Sequence, residues 1–142
     1  MKSRKHGASN SMLVIDGRAG WGDARPARIG FDDTTWGTLV SETFSRETCD
    51  IIKMPVSATT SIGKERVSVK GSCLLRVQAG GKNMTDTSLV VPDEALRARG
   101  VDAIIGQSTM EMFNIEITGH GKDRHVDFRR FPAAARKVSV IG

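Results

Sequence analysis

Residues 66–80, RVSVKGSCLLRVQAG, carry a period of two: Val67, Val69, Leu75 and Val77 share one parity, while Ser68, Lys70 and Arg76 fall on the other. A strand sends successive side chains to opposite faces, whereas a helix would scatter this pattern around its circumference. The stretch is therefore extended, and its apolar face needs a sheet and a core to cover it. Gly71 in its middle predicts a bulge or bend.

The remaining chain is cut into similar short pieces. SMLVID (11–16) is an apolar run ending at the turn signal Asp16-Gly17, and the Gly-rich GRAGWGDARP after it reads as a loop. ARIGF (27–31) is a second strand, leading into Asp32. TLVSETF (38–44) fits either a strand or one helical turn. SATTSIGKE has the small, polar, Gly-containing composition of a hairpin tip, which predicts a mobile flap over 58–68. TSLVVPD (87–93) is a strand that Pro92 ends, and VDAIIG (101–106) is one closed by glycine. NIEITGHGKDRHVDFRRF (114–131) sets Ile115 and Ile117, then Val126 and Phe128, about a Gly-His-Gly turn, as a hairpin does. Helical signals are few. DEALRARG (93–100) has acids first, Arg97 and Arg99 late and Gly100 as a stop; QSTMEMF predicts a short helix with Ser108 as cap and Met110 and Phe113 inward. The sum predicts an all-β protein, a small closed β-barrel with one or two short helices.

The 142 residues suffice for one domain and no more. With no tyrosine and few aromatics, the core must rest on Val, Ile, Leu and Met. The net charge of +5 comes from the ends: Lys2, Arg4 and Lys5 in the first ten residues, and six basic residues against Asp123 and Asp127 in 122–137. This suggests a disordered basic tail over 1–10, a domain over 11–131 and a tail over 132–142, rather than a basic binding face. Cys49 and Cys73 do not make a disulfide framework, and free thiols in a reducing compartment are expected, with one bridge as the alternative. No secretory signal and no apolar run of membrane-spanning length is visible, so a soluble, intracellular protein without membrane contact is expected.

Several chemistries fail on inspection. Gly63-Lys64, Gly81-Lys82 and Gly121-Lys122 lack the earlier glycine and the following Ser/Thr of a phosphate cradle. Cys49, Cys73, His120 and His125 lack the close pairing of a structural zinc site, so neither metal nor cofactor is expected. No G-x-S-x-G elbow exists for a nucleophilic serine. In HVDFRRF (125–131) Arg129 and Arg130 are interleaved with Phe128 and Phe131 as on a single-strand nucleic-acid surface, but a terminal strand with core phenylalanines and outward arginines is the favoured reading. Nucleic acid is not the expected partner.

Two stretches remain, IGFDDTTWGTLVSETF and VDAIIGQSTMEMFNIEI, with a Gly-containing hairpin and VSVKG between them. In this order, over about residues 12–131, they resemble the retropepsin family of aspartic proteases. The resemblance implies that Asp32 stands at the catalytic Asp, preceded by an apolar Phe31 and followed in register by Leu39, Val40 and Ser41. Asp33 then takes the family's Thr/Ser position and Thr34 its Gly position. Ile104, Ile105 and Gly106 match the apolar-apolar-Gly motif that supports the substrate pocket, and Ile62, Gly63 and Lys64 stand at the flap tip. The chain departs from the family at Gln107 and Ser108, where many members carry Arg and an acid or amide. It departs also at Trp36, where many viral members have the acid that pairs with that Arg.

The chemistry fits one constraint. Amide hydrolysis by carboxylates needs two of them, one ionised to take a proton from water and one protonated to polarise the carbonyl. Asp32 and Asp33 cannot be that pair, because adjacent residues of an extended strand face opposite ways. One such loop per chain therefore implies a symmetric homodimer acting on a peptide or polyprotein, each copy supplying its Asp32. Two alternatives stay open: a catalytically weakened binding or assembly module of the same fold, and an unrelated small β-barrel that binds nucleic acid through its basic ends.

Overall fold

The computed structural model describes residues 12–132. The basic segment 1–10 lies outside them, as does all of the expected C-terminal tail except Pro132. The described chain is mostly strand: β1 (Met12–Gly20), β2 (Arg25–Asp32), β3 (Leu39–Ser41), β4 (Ile52–Ile62), β5 (Glu65–Ala79), β6 (Lys82–Val91), β7 (Ala103–Ile105), β8 (Glu116–Thr118) and β9 (His125–Asp127). Three short helices interrupt it: α1 (Glu42–Thr48), α2 (Asp93–Arg97) and α3 (Gln107–Met112). The first seven strands form one sheet in the order β1-β2-β7-β3-β6-β5-β4, folded back on itself by a further pairing of β1 with β5. Strands β8 and β9 form a separate hairpin. Among the described residues no helix is long and apolar enough to cross a membrane.

Residue parity in the central strands divides the core in two. Val40, Val90, Ala103 and Ile105 join Ile29, Phe31, Leu75 and Val77 in one cluster; their neighbours Leu39, Val91 and Ile104 join Leu96, Val101, Val67 and Ile62 in the other. Strands buried on both faces need continuous apolar runs, which is what Leu39-Val40, Val90-Val91 and Ala103-Ile104-Ile105 supply. The longer outer strands are covered on one face only, so β5 alternates, with Val67, Val69, Cys73, Leu75 and Val77 buried and every second residue wetter.

Several sequence expectations shift. Asp16-Gly17 is no turn; β1 runs through it, because Gly17 lets β5 approach so closely that a Cβ there would lie 2.3 Å from the Gln78 carbonyl oxygen. Most of GRAGWGDARP is accordingly strand, with the turn confined to 21–24. The β4–β5 register slips between Lys53 and Ala58, so the irregularity falls on β4, close to Gly71, which pairs with Lys53. TLVSETF is both things at once, β3 followed by α1. Gly106, not Ser108, occupies the cap position of α3, and no side chain caps that helix. The last hairpin turns through a 3₁₀ segment at Gly121–Asp123, and its phenylalanines are engaged within the chain. Phe128 meets Phe31 edge-on at 5.7 Å, and Phe131 stacks on Phe113 at 5.3 Å.

Candidate active site

Strand β2 ends at Asp32, one residue beyond Phe31, which pairs in parallel with Ile105 of β7. By strand alternation Asp32 shares a face with Gly30, whose parallel partner is Ile104. Although it bears a carboxyl group, Asp32 is only 5% exposed. Burial of a carboxylate requires hydrogen-bond donors, and its own loop provides them. Thr34 donates its backbone N–H to Oδ1 at 2.9 Å and its hydroxyl to the same oxygen at 2.7 Å; the Thr35 hydroxyl donates to Oδ2 at 3.0 Å. The Thr35 N–H also donates to the Asp32 carbonyl at 3.2 Å, which makes 32–35 a tight turn with Asp33 and Thr34 at its corners.

The loop continues into a crossing. Carbonyl groups of Thr35 and Trp36 accept the N–H groups of Gln107 and Ser108 at 2.6 and 2.8 Å. Gly106 is pressed against this loop: a Cβ there would stand 2.2 Å from the Gly37 oxygen, 2.6 Å from that of Thr35 and 2.7 Å from that of Trp36. Its φ of −92° is ordinary, so glycine serves here for space alone. Below, the Thr38 and Thr109 hydroxyls meet at 2.6 Å, and Thr109 donates to Asp86 of β6 at 2.6 Å. Thr38 must then donate to Thr109, giving a one-way relay from loop to helix to sheet.

Of the residues singled out in the sequence, the structure brings Asp32, Ile104, Ile105 and Gly106 together. Ile104 and Ile105 are fully buried, so they support the loop from inside rather than line a surface. Ile62 joins Ile104 and Leu39 in the second cluster and is 1% exposed, so it anchors the β4–β5 hairpin instead of standing free at its tip. A salt bridge of 2.9 Å from Arg99 to Glu65 ties the same hairpin to the segment after α2. Gly63 and Lys64 are exposed at the tip, Gly63 with a φ of +59° and open space around it. Asp33 and Thr34 are exposed, and Asp33 borders a groove of about 290 Å³ with Gln107, Met110 and Ile117.

Thr34, at the family's glycine position, is not in a glycine-like conformation: among the described residues Asn114 is the one non-glycine with positive φ. The ion pair expected of the family has no counterpart here; Trp36 stands 66% exposed, and the loop and α3 are joined by backbone hydrogen bonds instead. Sequence reading missed Thr35, Thr38, Asp86 and Thr109. The spacing Asp-x-Thr-Thr was a usable signal for the first, but the relay depends on a crossing that no local pattern announces.

Among the described residues no three side chains able to hold a metal converge. No protein-family model matches the chain, and no curated protein matches its sequence. Among solved structures it is similar to the retroviral protease-like domain of Ddi1 from Leishmania major, with a TM-score of 0.52 at 13% identity, over 75% of this chain and 82% of that one. At that identity the likeness is one of fold. The described chain is a mostly β protein of retropepsin-like architecture.

Proposed function

We propose that this chain is an aspartic endopeptidase of the retropepsin type, working as a homodimer in which each copy contributes Asp32. The observation that carries the reading is the buried Asp32 carboxylate at a strand end, held by Thr34 and Thr35 and backed by the Gly106 crossing. Such fixation suits a group that must keep its position while a proton moves. Two copies related by a two-fold axis set the two carboxylates side by side, where like charge forces them to share one proton. The ionised partner takes a proton from water, the water attacks the peptide carbonyl, and the protonated partner stabilises the developing oxyanion. Thr34 and Thr35 orient the carboxylates without taking part in proton transfer. The β1–β5 pairing is the seam of a small barrel, and the β4–β5 hairpin is its flap, hinged where Ile62 enters the core.

One observation favours a second reading, a binding module of the same fold with weakened catalysis. The Thr34 hydroxyl occupies Oδ1, and the exposed Asp33 adds a negative charge at the turn.

Incubation with a diverse peptide library separates the two. Under the first reading the chain cleaves peptides, a statine-type inhibitor blocks cleavage, and Asp32→Asn abolishes it with the fold intact. Undiminished cleavage by Asp32→Asn would remove Asp32 from the chemistry.

A further inference from the structure

Exposed apolar side chains are scattered over Trp21, Trp36, Ile52, Leu74 and Met112, and single ones are ordinary on a protein surface. Trp36 differs in where it stands. Thr34 and Trp36 are open to solvent, while Thr35 between them is 1% exposed. The Thr34 hydroxyl donates to the Asp32 Oδ1 at 2.7 Å, so an open side chain of this loop touches the carboxylate itself. Trp36, two residues on, is the next one. Beside it Gly37 has open space where a Cβ would stand.

The indole is carried on a fixed base. The Trp36 carbonyl accepts the Ser108 N–H at 2.8 Å, that of Thr35 accepts the Gln107 N–H at 2.6 Å, and Gly106 packs against both oxygens. A large ring on an already ordered backbone offers contact area at little further cost in entropy. Its place is also bounded. A turn keeps its end Cα atoms within about 7 Å and one more peptide adds about 3.8 Å, so the Trp36 Cα lies within about 11 Å of that of Asp32. An extended peptide advances about 3.3 Å per residue, so a scissile bond at Asp32 brings its second or third neighbouring residue level with the indole.

We propose that Trp36 determines specificity at the Asp32 site, its indole taking an aromatic or large aliphatic side chain two or three residues from the scissile bond of an extended peptide. This rests on the reading of Asp32 as the hydrolytic carboxylate. Ring-to-ring or ring-to-aliphatic packing buries apolar area on both partners. In a two-fold dimer the second Trp36 repeats the contact on the other side of the bond. The contact is remote from the reacting atoms and equal before and during reaction, so it acts on KM rather than on kcat.

The test reads specificity and ring burial separately. Native and Trp36→Ala chains are incubated with a diverse peptide library, and the cut sites are identified by mass spectrometry. Native cut sites should be enriched in aromatic or large aliphatic residues two or three places from the cut bond. Trp36→Ala should lose that enrichment, and Trp36→Phe should keep it. On a preferred peptide, Trp36→Ala should raise KM several-fold and leave kcat little changed. The Trp21→Phe chain, whose one tryptophan is Trp36, is then titrated with statine-type inhibitors, which mark the scissile position without being cleaved. Its emission should shift to the blue at several-fold lower concentration of an inhibitor with phenylalanine at those places than of its alanine counterpart. An unchanged cut-site preference in Trp36→Ala, or inhibition with no shift of Trp36 emission, would overturn the proposal and leave hydrolysis at Asp32 standing. Emission that follows chain concentration and ignores inhibitor would overturn it too, and would give the ring to a second copy. A phenylalanine-selective shift without any cleavage would overturn the protease reading and keep Trp36 as a peptide contact. Neither binding nor cleavage would overturn both.

Discussion

At the scale of single residues, polar groups at buried positions are either fully used or conspicuously idle. Asp32 gathers donors from Thr34 and Thr35, and Thr38 and Thr109 pass theirs on to Asp86. Ser88 is the contrast: its hydroxyl is buried with no hydrogen-bond partner among the described residues, so removing it costs no bond. Ser88→Ala should leave stability unchanged or raise it by up to about 1 kcal/mol, read from the midpoint of denaturant unfolding. Asp127 is a further used group. Two side-chain nitrogens of Arg129 and its backbone N–H bond the carboxylate, holding it down from 3.8 to about 2. A carboxylate depressed in the folded state stabilises above its unfolded value and loses that contribution as pH falls through the folded one. Acid titration of stability should therefore show a decline between about pH 4 and pH 2 that is shallower in Asp127→Asn. Equal slopes in the two chains would remove the Asp127–Arg129 clamp from the stability of the last hairpin.

At the scale of elements, what was legible and what was not divides by the range of the forces involved. Strand β5 was plain because alternation is local, and so were β2, β6 and β7, whose apolar runs end at a charged residue, a proline or a glycine. Asp16-Gly17 misled because glycine marks two different things, a turn and a close approach between strands. Only the partner strand, with Gln78 against Gly17, decides which. The cap of α3 was misplaced for a related reason: that helix begins where the Asp32 loop crosses it, and backbone carbonyls of Thr35 and Trp36 satisfy its first N–H groups, leaving Ser108 no capping task. Of the candidate site, Asp32 and Gly106 could be read from motif order, while Thr38 and Thr109 beneath them could not. Gly106→Ala puts a methyl group inside the contact distance of three carbonyl oxygens and should destabilise by about 3 kcal/mol; a loss below about 0.5 kcal/mol would show that the crossing is loose. Ile62→Ala empties the hairpin's anchor in the second cluster. It should cost about 2–4 kcal/mol and raise hydrogen exchange over 58–68 more than elsewhere; a uniform rise would mean that Ile62 serves the core and not the hairpin.

At the scale of the whole molecule, the fold and the proposed chemistry make different demands. Within the described residues, helices and the β4–β5 hairpin of the same chain cover both clusters of the core. The chemistry is not contained in one copy, because the single Asp32 carboxylate of each copy cannot both activate water and polarise a carbonyl. The proposal thus rests on two copies acting as one catalyst, and this has a stoichiometric signature. Native chain is mixed with Asp32→Asn chain at constant total concentration, subunits are allowed to exchange, and peptide cleavage is measured against the native fraction. If each active unit needs an Asp32 from both copies, activity falls as the square of that fraction, to about one quarter in an equal mixture. A linear fall, to about one half, would show that a single copy suffices and would contradict the shared site.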